Sequence, residues 1–461
     1  MKHDSEKKSP AKKIFGTDGI RGIANEHPIT AEMALKVGKA VAHYFLARNG
    51  RRRHRIVIGK DTRLSGYMLE NSLTAGILSM GCDVLLVGPM PTPAIAHLAR
   101  SLNCDAGIVI SASHNPAEHN GIKIFSNEGF KLSDAEELEI EELIIGGKAG
   151  NGHIKGASMG KAYRVEEAKG RYIEYAKHSI KSSPLEGLFV VLDCANGAAY
   201  DIAPKILREL GAEAIVLGNR PNGLNINLDC GALHPEAMQK AVAKDKADIG
   251  IALDGDADRV IVCDENGKIV DGDHIMAILA LEMKAQGKLQ SNAVVTTVMG
   301  NIGFHKAMRE NGITVVTAPV GDRYVIDELR ARGLSFGGEQ SGHIINFNYS
   351  TTGDGIITAL MLLDIMKKKK KKLSELAKAM KTAPQVLINV NVRGKKDFDK
   401  MPAVSKKIKS AEAVLGSEGR VLVRYSGTEN IARVMAEGPD NGRIEKLAAE
   451  IAAEIKKEIG A

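Results

Sequence analysis

Short apolar runs rich in β-branched residues recur along the 461-residue chain, and each breaks into small and polar residues. Arg55-Ile56-Val57-Ile58-Gly59 runs into Lys60-Asp61-Thr62-Arg63-Leu64-Ser65-Gly66. A helical pattern follows, then a glycine-led apolar strand over 81–87, closed by Pro89, Pro91 and Pro93. The same order returns at 189–193, through Asn196-Gly197 to 211–217, and again at 293–297, through Gly300-Asn301 to 312–316. Strand, polar loop, helix and glycine-led strand thus occur three times. That predicts three similar α/β domains, each a doubly wound or mixed sheet with helices on both faces. The last stretch differs. Residues 385–392 alternate as a half-buried strand, 400–415 read as a helix, 419–425 and 432–437 as strands, and 443–459 as an amphipathic helix. This predicts a smaller C-terminal α+β domain. The expected boundaries are 1–160, 161–268, 269–382 and 383–461, with 146–160 as a Gly-, Ala- and Lys-rich linker or hairpin. Residues 31–47 and 166–183 also read as helices, and 14–22, with three glycines in seven positions, as a loop pressed close to something.

Composition narrows the function classes. There is no Trp and only 4% aromatic residues, which disfavours a base-stacking nucleic-acid module. No apolar run reaches membrane-spanning length, and residues 1–13 are a charged tail rather than a leader, so a cytoplasmic protein is expected. Cys82, Cys104, Cys194, Cys230 and Cys263 are scattered and odd in number, which predicts reduced thiols and no zinc site. The net charge of +7 falls to about +1 without the run Lys367 to Lys372. That run and the patch Arg51-Arg52-Arg53-His54-Arg55 read as solvated helix ends or loops. No nucleic-acid partner is expected.

Four polar loops carry candidate chemistry. Ser111-Ala112-Ser113-His114-Asn115-Pro116 follows the apolar strand 106–110, where open α/β sheets place their ligands. His114 there can move a proton or bind phosphate; a serine-rich turn ending at Asn-Pro fits the same residues. Asp254-Gly255-Asp256-Ala257-Asp258-Arg259 follows strand 249–253 and places three carboxylates at alternate positions, a donor set for Mg²⁺ or Ca²⁺. An EF-hand is rejected because its sixth position is Arg259 rather than Gly and its flanks read as strands. A solvated acidic turn is the plain alternative. Gly337-Gly338-Glu339-Gln340-Ser341-Gly342-His343 offers Glu339 and Ser341 to sugar hydroxyls and His343 as acid or base. Arg424-Tyr425-Ser426-Gly427-Thr428-Glu429-Asn430 is a phosphate cradle or a hairpin turn. Walker A and G-x-G-x-x-G patterns are missing, which weakens ATPase and dinucleotide readings.

Together, over about residues 14–460, these loops resemble the α-D-phosphohexomutase superfamily, whose serine, metal, sugar and phosphate loops occur in this order. Residues 15–22, Ser111-Ala112-Ser113, Asn225-Ile226-Asn227 with Cys230-Gly231, Val320-Gly321-Asp322-Arg323-Tyr324-Val325 and Glu339-Gln340-Ser341 resemble the branch acting on glucosamine phosphates. Asn430 departs from the family pattern, where many members have proline, and the lysine run matches no family motif. The resemblance implies an intramolecular phosphotransferase that feeds amino-sugar nucleotide and cell-wall precursor synthesis. Ser113 would carry a phosphoryl group, with a glucosamine 1,6-bisphosphate as intermediate and activator. One Mg²⁺ would sit on Asp254, Asp256, Asp258 and phosphorylated Ser113. Arg21 and His114 would add positive charge or hydrogen bonds, Lys123 would be the general base, and His343 a second acid or base. Glu339, Ser341 and Arg259 would hold the sugar, and Arg424, Ser426, Gly427, Thr428 and Arg433 the non-transferring phosphate. The partner is a small phosphosugar, with a homodimer through the first domain compatible. A phosphomannomutase or phosphoglucomutase with the same machinery, or a silent phosphosugar-binding protein, are the alternatives.

Overall fold

The computed structural model describes residues 14–16, 18–48, 53–147, 154–426 and 430–461. The charged tail, Arg51 and Arg52 of the Arg51–Arg55 patch, part of the expected linker, and Gly427 and Thr428 lie outside the described residues. The chain separates into two compact units, residues 1–298 with 316–377, and residues 299–315 with 378–461. Among the described residues no helix is long and apolar enough to cross a membrane, and all five cysteines are free thiols.

The first unit opens with a six-stranded sheet in the order Ile20–Ile23, His119–Ser126, Ala106–Ile110, Arg55–Lys60, Asp83–Pro89, Ala162–Arg164. The strands Arg55–Lys60, Asp83–Pro89 and Ala106–Ile110 run parallel, and Ile56, Ile58, Ile108 and Ile110 are fully buried. Their continuous apolar runs fit a sheet covered on both faces. Helices Ala31–Leu46 and Gly66–Leu78 pack tightly together. Their backbones meet at Gly38 and Gly76, where an added Cβ would lie 2.5 Å from the Leu73 carbonyl and 2.3 Å from that of Leu35. Thr30 caps the first of these helices through the Met33 amide, and Ser133 with Glu136 forms a capping box on Asp134–Ile145.

Two edges differ from the expectation. The glycine-rich 14–22 segment ends in the strand Ile20–Ile23, which pairs antiparallel with His119–Ser126 and sets Arg21 opposite Gly121. Strand Ala162–Arg164 had no apolar signature because all three residues are exposed. The helix expected over 166–183 is Ala168–His178.

A second sheet has the order Ile269–Val270, Val260–Asp264, Ile249–Leu253, Phe189–Asp193, Glu213–Leu217. In a third, Phe336–Gly338 runs parallel to Ala293–Thr297 and antiparallel to Ile344–Asn346. The three sheets share one device. A buried strand parallel to its neighbour turns back into an antiparallel strand: Ala106–Ile110 into His119–Ser126, Ile249–Leu253 into Val260–Asp264, Phe336–Gly338 into Ile344–Asn346. The serine, acidic and Glu339–His343 loops are these three turns.

Helix Gly355–Lys369 ends in the lysine run, and cations in a last turn face the negative end of the helix dipole. Lys368 pairs with Asp364 and Lys369 with Glu282, each at 2.7 Å.

The second unit holds a three-stranded antiparallel sheet with Ile431–Glu437 between Gln385–Asn391 and Arg420–Tyr425. Helices Pro402–Leu415 and Asn441–Ile459 cover it, and Val404, Val434, Ile444 and Ile451 form its core. Asn301, capping helix Ile302–Glu310, donates to the buried Glu437 carboxylate at 3.2 Å.

Candidate active site

Ser113 closes the serine loop in a left-handed backbone conformation, φ 53°. That region is strained for a residue with a side chain and marks functional turns. Its Oγ donates to Asp254 Oδ2 at 2.6 Å and lies 3.3 Å from His114 Nδ1. Burial, then Arg259 and Arg21, push the His114 imidazole down to about 4, so it is neutral around pH 7. Of its two expected contributions, hydrogen bonding fits and positive charge does not.

Asp254, Asp256 and Asp258 are all buried, and their carboxylate oxygens come within 4.8 Å of one another. Burial, then Asp258 and Asp256, push the Asp254 carboxyl well up. Burial alone would raise Asp258 too, but Lys123 and His343 outweigh it and hold Asp258 well below the carboxylate range. Asp256 Oδ2 accepts from Lys123 Nζ at 2.8 Å and from Thr92 Oγ1 at 2.6 Å. Asp256 Oδ1 and Asp258 Oδ1 are buried with no hydrogen-bond partner. Crowded carboxylates with orphaned oxygens suit a hard divalent cation such as Mg²⁺.

A chain of opposite charges surrounds this triad. Lys123 Nζ is also 3.3 Å from Asp18 and 3.6 Å from Asp258. Burial alone would lower its pKa, but Asp18, Asp256 and Asp258 raise it, so it is an ammonium. Lys131 bridges Asp18 and Asp322, at 2.5 Å each. Arg21 pairs with Asp18 and donates to the Ala112 carbonyl at 3.4 Å. The Arg259 backbone N–H donates to Asp254 Oδ1 at 3.2 Å, and its side-chain Nε lies 3.9 Å from Asp258 Oδ1.

His343 is buried between two of these acids, Nδ1 3.6 Å from Asp258 and Nε2 3.5 Å from Asp322. Burial would lower its pKa, but the two aspartates raise it. Gly353 lies flat against the ring, where a Cβ would come within 2.5 Å. Glu339 is nearly buried and accepts from the Gly321 N–H at 3.0 Å, and the exposed Ser341 donates to it at 3.4 Å.

The C-terminal sheet carries the last group of candidates. Arg424 and Arg433 stand directly opposite each other on antiparallel strands. Burial first, and then Arg433, lower the Arg424 pKa. Like charges directly across a strand pair are unfavourable unless an anion sits between them. Ser426 is buried beside this pair, its carbonyl accepting from Lys395 Nζ at 2.6 Å.

Thus Arg21, Ser113, His114, Lys123, the three aspartates, Arg259, Glu339, Ser341 and His343 lie on three equivalent turns and one neighbouring strand pair of the first unit. Sequence reasoning missed Lys131 and Thr92, and gave Asp18, Asp322, Asn227 and Arg63 no role. Asp18, Asp322 and Asn227 stood in stretches already singled out for their resemblance, and Arg63 in the loop after the first strand. Lys131 and Thr92 carried no local signal.

Models of the phosphoglucomutase/phosphomannomutase domains match in order: α/β/α domain I over residues 12–149, domain II over 170–267, domain III over 271–383 and the C-terminal domain over 387–454. A phosphoglucosamine mutase of Geobacter sp. (strain M21) is 55% identical over 450 residues, covering 97% of this chain and 99% of its own. One from Pelobacter propionicus is 56% identical with the same coverage. In solved structures, the fold is similar to a phosphoglucomutase/phosphomannomutase family protein of Burkholderia thailandensis, with TM-score 0.80, 24% identity and coverage of 97% and 99%. It is also similar to Aspergillus fumigatus N-acetylphosphoglucosamine mutase, with TM-score 0.67, 18% identity and coverage of 97% and 96%. With four consecutive domains matched and more than half the residues shared with full-length relatives, the chain belongs to the phosphoglucomutase/phosphomannomutase family.

Proposed function

We propose that the chain interconverts glucosamine 6-phosphate and glucosamine 1-phosphate through a phosphoserine at Ser113. The observation that carries this reading is Ser113 Oγ, held 2.6 Å from Asp254 in a buried carboxylate triad by a left-handed backbone. The sugar's O1 attacks the Ser113 phosphorus; the new O1–P bond forms as the Oγ–P bond breaks. The 1,6-bisphosphate then presents its 6-phosphate to Ser113 Oγ, which takes that phosphoryl group back and leaves the 1-phosphate. Such transfers depend mainly on positioning and charge stabilisation.

A divalent cation such as Mg²⁺, held by Asp254, Asp256, Asp258 and the Ser113 substituent, supplies charge neutralisation when bound. The chain's own residues do the rest. Arg21 supplies fixed positive charge, and neutral His114 a hydrogen bond to Oγ or the phosphoryl group. Lys123 is an ammonium in the resting site, so its role as general base is an exchange: it gives a proton to the leaving Ser113 Oγ as the Oγ–P bond breaks, and the amine takes up the O1 proton. His343 plays the same part for the opposite sugar orientation. Glu339, Ser341 and Arg259 hold the sugar, and Arg424, Ser426, Gly427, Thr428 and Arg433 the non-transferring phosphate. The amino sugar is favoured over a neutral hexose by the 55% identical relatives, which are phosphoglucosamine mutases.

The test is a coupled mutase assay with Mg²⁺ and catalytic bisphosphate on glucosamine, glucose and mannose 6-phosphates. Glucosamine 6-phosphate should lead in kcat/KM by tenfold or more, about 1.4 kcal/mol of transition-state discrimination. Ser113→Ala should lose at least about 10⁴-fold in kcat. A neutral hexose in the lead reassigns the substrate, and normal turnover by Ser113→Ala ends the phosphoserine mechanism.

A further inference from the structure

Arg63 takes no part in the chemistry above, yet it is the largest fully buried side chain among the described residues. Its guanidinium is spent on one object. Nη2 donates to the Ser113 carbonyl at 2.9 Å and the Asn115 carbonyl at 2.8 Å. Nη1 donates to the carbonyls of Pro116 and His119, the latter at 3.0 Å. Nε donates to Asp61 Oδ2 at 2.8 Å. Three carbonyls of the serine loop, with that of His119 at the start of the following strand, therefore converge on one cation. Asn227, from the second sheet's domain, adds Nδ2 to two of the same carbonyls, Ser113 at 2.9 Å and Asn115 at 3.1 Å.

The amide side of the loop is tied to the same group. The Ser113 N–H donates to Ser111 Oγ at 2.9 Å, and Ser111 Oγ donates to Asp61 Oδ2 at 2.6 Å. The circuit runs from the Ser113 amide through Ser111, Asp61 and Arg63 back to the Ser113 carbonyl. It closes around the one residue of the loop whose backbone is left-handed.

A buried arginine is a costly way to obtain cohesion alone, because removing a cation from water is offset only by complete and well-aligned hydrogen bonding. A left-handed non-glycine residue persists only where its surroundings over-determine it. Both conditions meet at Ser113. We propose that Arg63, with Asn227 as second donor, is a positioning residue that holds Ser113 in its left-handed conformation and keeps Oγ aimed for phosphoryl transfer. This rests on the phosphoserine reading. Arg63 touches neither Oγ nor the acidic triad, so its loss acts on the geometry of transfer and not on capture of the sugar.

The experiment compares full-length wild type, Arg63→Lys and Asn227→Ala. Thermal unfolding checks the fold, intact mass after incubation with glucose 1,6-bisphosphate reads the phosphoryl group on Ser113, and the coupled assay separates kcat from KM. Lysine keeps the charge but not the fork; alanine at 227 removes donors to the same carbonyls and leaves no buried charge behind. The expected result is phosphorylation that is slowed in both variants. For Arg63→Lys kcat should fall by about 100-fold, the scale of a 1 Å misplacement, and for Asn227→Ala by about tenfold, with KM within about threefold. If Arg63→Lys does not fold, Asn227→Ala decides by the same criteria. Wild type that gains mass on Ser113 while the folded variants keep wild-type kcat, or lose only KM, overturns the inference and leaves the phosphoserine reading standing. Wild type that takes no phosphoryl group overturns both.

Discussion

Around Ser113, Lys123 lies within 3.6 Å of Asp18, Asp256 and Asp258, and Lys131 bridges Asp18 and Asp322. On the C-terminal sheet, by contrast, Arg424 faces Arg433 directly across an antiparallel strand pair. The first region is buried and interlocked, and its excess is negative: burial, then Asp258 and Asp256, push Asp254 up, and two aspartate oxygens lack hydrogen-bond partners. The second is half-buried, and its excess is positive. The difference teaches what each region wants. Surplus carboxylates in a dry site are suited to a cation, and facing arginines at a partly open surface are suited to an anion.

The comparison breaks most visibly at Asp258. Asp258→Asn removes one triad carboxylate and the acid between Lys123 and His343. Turnover should fall by about 100- to 1,000-fold, and calorimetric titration should show weaker Mg²⁺ binding. Unchanged Mg²⁺ affinity would show that the triad is not the cation's seat.

Arg424→Ala tests the other region. Losing one charge-assisted contact to phosphate should raise KM for the phosphosugar about 10- to 100-fold with little change in kcat. Melting temperature should stay level or rise slightly as the like-charge pair is relieved. A kcat loss at constant KM would move Arg424 out of the phosphate cradle.

His114 sharpens the contrast through pH. Its pKa falls from an ordinary 6.5 to about 4 on folding, so between those values the unfolded chain binds the extra proton. Stability from this group is therefore complete near pH 7 and is lost as pH drops from about 6.5 towards 4. The full shift discounted for the ring's partial exposure is on the order of 2 kcal/mol. Urea unfolding of the metal-free protein at pH 7.5 and 4.5 should show that much less acid loss in His114→Gln than in wild type.

The smallest effect is expected from the lysine run. Lys368 and Lys369 already pair with Asp364 and Glu282, and exposed pairs contribute little. Replacing Lys370 and Lys371 by Gln should leave kcat/KM within about twofold and solubility unchanged. A large loss of turnover would give the run a role that neither charged region explains.

Much of this molecule was legible along the chain because the relevant signals are local. Continuous apolar runs rich in β-branched residues marked the buried strands, and the thrice-repeated order of strand, polar loop and helix marked the α/β layers. Alternating aspartates after a strand marked the cation chemistry, since neighbours in a tight loop must face one another. Edge strand Ala162–Arg164 escaped because exposed strands lack an apolar rhythm, and Ile20–Ile23 because its glycines masked it.

What tertiary structure alone decided is who faces whom, and in what charge state. Lys131 meets Asp322 across 191 positions of chain, Thr92 meets Asp256 across 164, and Arg63 reaches Ser113 of the serine loop across 50. No local pattern encodes such partners. Nor could residue types tell that Lys123 is an ammonium and His114 neutral. Those states follow from burial and from the sum of charges gathered by folding, and both exist only once distant segments have met.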